Sequence, residues 1–211
     1  MPRESKIPLP TLERLATYLR YLNDLATSEV ETISSAGIGE ATGINAAQFR
    51  KDLSYFGEFG QPGVGYDVQD LRRRIAHILK VDQEQSVLLV GAGNLGSALL
   101  GYTDLVKNNF KIIAVFDRSP RKIGLKLWDR EILDIGNIRK ANESLDAKIA
   151  IISVPSLAAQ GVADQLVEAG VKVILNFAPT IVKCPEGVVI RNVCFIQELT
   201  VLSFFLTSGA D

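Results

Sequence analysis

The sequence predicts an α/β protein in two parts, an N-terminal winged helix-turn-helix and a Rossmann-type doubly wound parallel sheet. Three observations predict it. Over the first 80 positions apolar residues recur at helical spacing. From residue 85 they gather into short unbroken runs rich in Val and Ile. The first of those runs ends in a glycine-rich turn, Gly91-Ala92-Gly93-Asn94-Leu95-Gly96. A period near 3.6 marks helices packed by one face, whereas unbroken runs mark strands covered on both faces, as in a parallel sheet.

In the first part, Thr11 is read as the N-cap of a helix carrying Leu12, Leu15, Leu19, Leu22 and Leu25. A second helix is predicted over 35–41, after the cap-forming pair Ser34-Ser35, and Gly43 breaks it. A third starts at Asn45 and runs to about Phe56. Gly57, Gly60, Pro62, Gly63 and Gly65 then fall within nine positions, a density that suits a tight hairpin and not a helix. A fourth helix, over 68–79, turns Leu71, Ile75 and Ile78 inward and Arg72, Arg73 and Arg74 to its polar sides. Three helices and a glycine-rich hairpin are the order of a winged helix-turn-helix. The polar stretch 80–85 marks the boundary, so the expected divisions are 1–82, 83–193 and 194–211.

In the second part the apolar runs lie at 86–91, 111–117, 148–154 and 172–177, with helical stretches at 94–108 and 156–169 between them. The segment 123–147 reads as one strand and one short helix. This alternation of strand and helix is what builds a doubly wound sheet. The glycine turn follows a buried strand and opens a helix, the context its chemistry requires. Gly91 permits the tight turn, Gly93 lets backbone approach a pyrophosphate, and Gly96 lets helix and strand pack closely. Asp117 ends the next run, 21 positions beyond Gly96, where a carboxylate accepts both ribose hydroxyls of NAD and repels a 2′-phosphate. Arg118 stands beside it. The reading favours NAD over NADP.

Bulk properties exclude other classes. The 211 residues are 47% hydrophobic and 22% charged, with net charge −1, enough for a core and without a global pull on nucleic acid. No apolar run reaches the ~20 residues of a membrane span, and the first residues lack the apolar stretch of a secretory signal. Two cysteines, Cys184 and Cys194, and one histidine do not make a zinc site; both cysteines are read as reduced thiols in the cytoplasm. Over residues 1–80 ten basic residues balance ten acidic ones. Positive charge for DNA must therefore be local. The third helix supplies Gln48, Arg50, Lys51, Ser54 and Tyr55, donors and a ring suited to base edges and phosphates. A three-helix head of this composition equally suits a protein-binding module.

The segments FRKDLSYFGEFGQPGVGYDV (49–68), VLLVGAGNLGSALLGY (87–102), IAIISVPSLAAQ (149–160) and ILNFAP (174–179) together resemble the Rex family of redox-sensing transcriptional repressors over nearly the whole chain. The resemblance implies a homodimer that binds inverted-repeat operator DNA when NADH is scarce. NADH turns the heads and releases the DNA, while NAD competes but favours the DNA-bound form. It implies that the segment 196–206 is a domain-swapped helix exchanged between subunits; the same apolar residues would also serve a last helix packed on its own sheet. It assigns Ser34, Ser35, Arg50, Lys51, Ser54 and Tyr55 to DNA, with Gly63 and Tyr66 in the wing. Gly91, Gly93, Gly96 and Asp117 fall to the nucleotide, Val154 and Pro155 to the loop over it, and Tyr102 and Phe195 to the nicotinamide. Arg20 falls to a link between the head and the nucleotide domain of the partner subunit. Two positions depart from the family: Pro62 stands where an arginine is usual, and Cys194 where an aspartate pairs with Arg20 and Tyr102. A thiol does not replace that carboxylate in an ion pair at neutral pH.

Three other functions fit parts of the sequence. An NAD-dependent dehydrogenase needs an acid or base near the nicotinamide, yet the single histidine, His77, precedes the Rossmann part. A nucleotide-binding regulator with a protein-binding head fits the same elements, as does a CoA-type ligand in the Rossmann cleft.

Overall fold

Among the residues that the computed structural model describes, 7–28, 30–60 and 63–206, the first helix begins earlier than its sequence suggests. Helix α1 spans Leu9–Leu25 with Pro8, not Thr11, at the N-cap. Pro10 stands in its first turn, where a missing N–H leaves no helical bond unmade. Thr11 is buried inside the helix and donates its hydroxyl to Asp52 (3.3 Å). The side chain expected to cap is thus used across the core.

The chain divides into two units, Met1–Gln83 and Glu84–Asp211. In the first, strand β1 (Thr32–Ile33), helix α2 (Ser35–Thr42), helix α3 (Ala46–Ser54), strand β2 (Tyr66–Asp67) and helix α4 (Val68–Ile78) follow α1. The caps follow from the sequence. Ser34 accepts the Gly37 N–H, Asn45 the Ala47 N–H and Asp67 the Asp70 N–H, and Gly43 ends α2 in the left-handed region at φ 70°. Leu15, Tyr18, Leu22, Ile38, Phe49, Val68 and Ile75 are fully buried between these helices. The Phe49 ring lies edge-on between Tyr18 (4.9 Å) and Tyr66 (5.3 Å).

The expected hairpin takes a different form. β2 pairs antiparallel with β1, Ile33 opposite Tyr66, so its partner precedes α2. Among the described residues of 57–65 no helix or strand element forms. A Cβ on Gly65 would lie 2.8 Å from the Ile33 carbonyl oxygen, and its φ of 97° suits only glycine. Gly65 thus serves close approach of the loop to β1. Pro62 lies outside the described residues.

One buried ionic cluster holds α3 to α1. The Asp52 carboxylate is inaccessible and receives Arg14 Nε and Nη2 (both 2.6 Å), the Tyr18 hydroxyl (2.9 Å) and the Gln48 amide (2.8 Å). Burial disfavours its charge, but hydrogen bonds from Arg14, Gln48 and Tyr18 outweigh that and hold the carboxyl below the usual carboxylate range.

The second unit contains β3 (Gln85–Val90), α5 (Asn94–Leu100), α6 (Thr103–Lys107), β4 (Phe110–Asp117), β5 (Lys126–Leu127), β6 (Arg130–Asp134), α7 (Ile138–Leu145), β7 (Ile149–Ile152), α8 (Ser156–Glu168), β8 (Val173–Asn176), β9 (Val189–Asn192) and α9 (Phe195–Ser203), followed by a 3-10 turn, Phe204–Leu206. The strand order is β5-β6-β4-β3-β7-β8-β9, parallel except for the β5–β6 hairpin. Sheet growth reverses between β3 and β7, which opens a crevice at the carboxyl ends of β3, β4 and β7. Along β3, Leu88 and Val90 pack into one apolar cluster and Val87 and Leu89 into another, one on each face of the sheet.

Three expectations need correction here. The helix expected over 94–108 is two, α5 and α6, because the Trp128 indole covers Gly101 and donates its N–H to the Ser97 carbonyl (3.2 Å). A Cβ at Gly101 would meet that ring at 2.5 Å, and Tyr102 leaves the helix at ψ 97°. The segment 123–147 holds two strands before its helix, and the sheet gains β9, whose residues are mostly exposed and so lack the apolar run of a covered strand. Finally, α9 buries none of its residues: Ile196, Leu199 and Leu202 are each about three-fifths exposed (68%, 61%, 59%). The alternative of a last helix packed on its own sheet is not what the chain does.

Candidate functional site

The crevice is built by three consecutive turns. Gly91 leaves β3 at φ 106°, and a Cβ there would lie 2.4 Å from the Ser153 carbonyl oxygen on the next turn. Gly96, on the first turn of α5, sits so close to that loop that a Cβ would stand 1.9 Å from the Gly91 carbonyl oxygen. At Gly93, between them, a Cβ would meet nothing within 4 Å. The three glycines therefore do different things: two permit close packing of loop, helix and neighbouring turn, and the third faces open space. The Ser153 hydroxyl donates to the Gly91 carbonyl (2.9 Å) and ties the turn after β7 to the turn after β3.

That open space is a cleft of about 690 Å³, a size that suits a cofactor. Of the residues the sequence singled out, Gly91, Gly93, Asp117, Arg118, Val154 and Pro155 line it. Ala92, Asn94, Leu95, Gly96, Tyr102 and Phe195 do not. Ala92 and Gly96 shape the turn from behind, and Asn94 and Leu95 open α5. Tyr102 is half-exposed at the break between α5 and α6, and Phe195 stacks on Phe177 at 6.1 Å. Cys194 occupies the N-cap position of α9 and makes no capping bond, and both cysteines are free thiols. Burial pushes the Cys184 thiol up, with Asp164 adding to it.

Asp117 is nearly buried at the end of β4. Its Oδ1 accepts the Ser119 N–H (2.9 Å); its Oδ2 accepts the Ala92 N–H (2.9 Å) and pairs with Lys122 Nζ (3.1 Å). Burial raises the carboxyl, but these N–H groups and the ammonium more than offset it and hold the group below its ordinary value. Sequence reasoning missed Lys122 and Ser153. Asp-x-Ser after a strand signals the Ser119 contact, but nothing in the spacing places Lys122 on the carboxylate.

In the first unit, α3 presents Arg50, Lys51, Ser54 and Tyr55 outward while Phe49, Asp52 and Leu53 face the core. Ser34, Ser35, Arg50, Gly63 and Tyr66 line one hollow beside the glycine loop, and Arg50 donates to the Ser35 hydroxyl (2.7 Å). The Ser54 hydroxyl is turned back to the Lys51 carbonyl. Gln48 points its amide into the Asp52 cluster, and the Tyr66 ring packs on Phe49. Arg20 is an exposed residue of α1. Among the described residues no His, Cys, Asp or Glu group could hold a metal ion, and no helix is long and apolar enough to cross a membrane.

Residues 6–54 match the family model described as "Putative DNA-binding protein N-terminus", and residues 82–180 the one described as "CoA binding domain". The chain is 47% identical over 199 residues, 94% of its length and 95% of the relative's, to the redox-sensing transcriptional repressor Rex of Desulfitobacterium hafniense. A crystal structure of RSP in complex with beta-NAD+ and operator DNA is similar at TM-score 0.91 and 37% identity, covering 97% of this chain and 94% of that one. The complex of RSP with beta-NADH is similar at TM-score 0.86 and 35% identity, covering 97% and 96%.

Proposed function

The chain belongs to the Rex family of redox-sensing transcriptional repressors, and from that premise we propose how its residues divide the work. It is a DNA-binding repressor, not an enzyme, that senses the NADH/NAD ratio: it holds operator DNA when NADH is low and releases it when NADH binds. The observation that carries the nucleotide half is the Gly91–Gly96 turn, whose one glycine without a neighbour, Gly93, opens onto a cleft that also contains Asp117.

The residues present fit a dinucleotide. Gly93 offers backbone where a pyrophosphate needs close approach, Asp117 offers a carboxylate for ribose, and Val154 and Pro155 form an apolar wall. The bound cofactor supplies only its redox state as a signal. The chain binds and orients it. In the head, Arg50 and Lys51 supply charge, Ser34, Ser35, Ser54 and Tyr55 supply polar contacts, and the loop through Gly63 and Tyr66 forms the wing. Gln48 serves by holding α3 through Asp52. A winged-helix head reads DNA by placing such a helix in the major groove.

The protein acts in the cytoplasm as a homodimer. The outward apolar residues of α9 support this reading, since an exposed apolar stretch of this extent on a soluble chain marks an interaction surface. The segment 196–206 is then covered by a second copy, and Arg20, Tyr102 and Cys194 are the switch residues. Coupling between the two sites is reciprocal: NADH lowers operator affinity by the factor by which operator lowers NADH affinity.

Fluorescence anisotropy on a labelled inverted-repeat operator tests the proposal. NADH is expected to weaken binding by about 5–150-fold, the usual range of coupling, and NAD far less. Equal effects of the two nucleotides would overturn it. In the same assay Arg50→Ala is expected to cost about 1–3 kcal/mol of operator affinity. Its thermal unfolding should stay close to wild type, because Arg50 is exposed and bonds only Ser35 among the described contacts. Unchanged operator affinity in Arg50→Ala would remove this helix from the interface.

A further inference from the structure

The Asp117 carboxylate is engaged by the protein on both oxygens before any ligand reaches it. Two carboxylate oxygens offer about four lone-pair positions. Three are taken: Oδ1 accepts the Ser119 N–H, and Oδ2 accepts the Ala92 N–H and Lys122 Nζ. Oδ2 already carries two donors and Oδ1 one. The side chain is only 10% exposed, so there is little room to approach it from a second side. A vicinal diol brings two hydroxyls. One can donate to Oδ1; the other would be a third donor on Oδ2, where the Lys122 ammonium already sits.

Lys122 resolves the mismatch. Its ammonium carries three N–H donors, one of which is directed to Asp117. Its side chain is 41% exposed and lines the same cleft, so the remaining donors are open to a ligand. We propose that the Asp117–Lys122 pair, and not the carboxylate alone, reads the adenosine ribose: Asp117 accepts from one hydroxyl and Lys122 donates to the oxygen of the other. This rests on the dinucleotide reading of the cleft. Lys122 is then a specificity-determining residue that selects for an intact ribose diol by one acceptor and one donor. The two Asp117 bonds from Ala92 and Ser119 fix the carboxylate in place, and the ion pair fixes the ammonium against it.

Isothermal titration of the full-length protein with NADH and with its 2′-deoxy and 3′-deoxy adenosine analogues tests the assignment. Wild type is expected to bind each deoxy analogue about tenfold or more weakly than NADH, since a hydrogen bond to a charged group is lost in either case. Lys122→Met is expected to bind NADH about tenfold more weakly and to lose its preference for NADH over one of the two analogues, keeping it over the other. Lys122→Arg, which keeps a donor, is expected to restore both preferences. Both preferences surviving in Lys122→Met, or NADH binding unchanged or tighter in it, would overturn the inference, because the ammonium would then add nothing to ribose recognition. If Arg118→Met removes the preference instead, the donor is Arg118 and the inference fails. Absence of NADH binding by wild type would sink the dinucleotide reading itself, a result distinct from these.

Discussion

Replacing Asp52 by alanine is expected to destabilise the head by about 3–5 kcal/mol, the usual cost of removing one partner of a buried ion pair. Arg14, its side chain 26% exposed, then loses its carboxylate partner, and Tyr18, Gln48 and Thr11 lose the acceptor that each of them bonds. Because α3 carries Arg50 and Lys51, operator binding is expected to fall with stability. Chemical unfolding followed by circular dichroism measures the first quantity and anisotropy the second. An Asp52→Ala protein within 1 kcal/mol of wild type would show that the cluster contributes nothing net. Acid should have a milder form of the same effect. The Asp52 carboxyl titrates lower when folded than when unfolded. Its contribution is therefore present above the unfolded value and is lost as pH falls through the folded one. Asp52→Asn is expected to flatten the acid side of the stability profile for this unit.

Gly96→Ala is the second large effect. The added methyl would stand 1.9 Å from the Gly91 carbonyl oxygen and 3.1 Å from the Ser153 hydroxyl. Both are locked: Ser153 bonds that carbonyl, and the Gly91 N–H bonds the Phe116 carbonyl. Relief requires moving α5 off the sheet, at a cost of at least about 3 kcal/mol. NADH binding is expected to be lost with it. Gly93→Ala separates the two roles of the turn. Its Cβ meets nothing and its backbone, φ −87° and ψ −167°, suits any residue, so the fold should be unaffected to within about 0.5 kcal/mol, the usual range for changes that touch no packed feature. Its NADH affinity should nonetheless drop about tenfold or more, because the methyl enters the space of the ligand. Thermal unfolding alongside NADH titration distinguishes the two variants. Normal NADH affinity in Gly93→Ala would remove the turn from the pyrophosphate site.

Much of this was legible because the signals are local. Ser34 and Asn45 cap the helices they precede, since a cap bond spans two or three residues. Four buried strands announce themselves as apolar runs, and the glycine turn carries its own stereochemistry. The Asp52 cluster was not legible. Its partners on α1 lie 34 to 41 positions away, and an aspartate in a basic helix reads as an ordinary surface charge. The break at Gly101 depends on Trp128, 27 positions downstream, and β9 lacks an apolar run because only a sheet edge and not a core receives it.

The sequence alone thus marked the four head helices, the four apolar strands and the glycine turn after the first of them, all properties of short-range periodicity and backbone freedom. Tertiary structure alone decided which polar groups are consumed internally and which remain for a ligand. Asp117 and Lys122 show why: a carboxylate's capacity is shared among whatever donors the fold brings within 3 Å or so, and that count belongs to the packed sheet and turns, not to any stretch of chain.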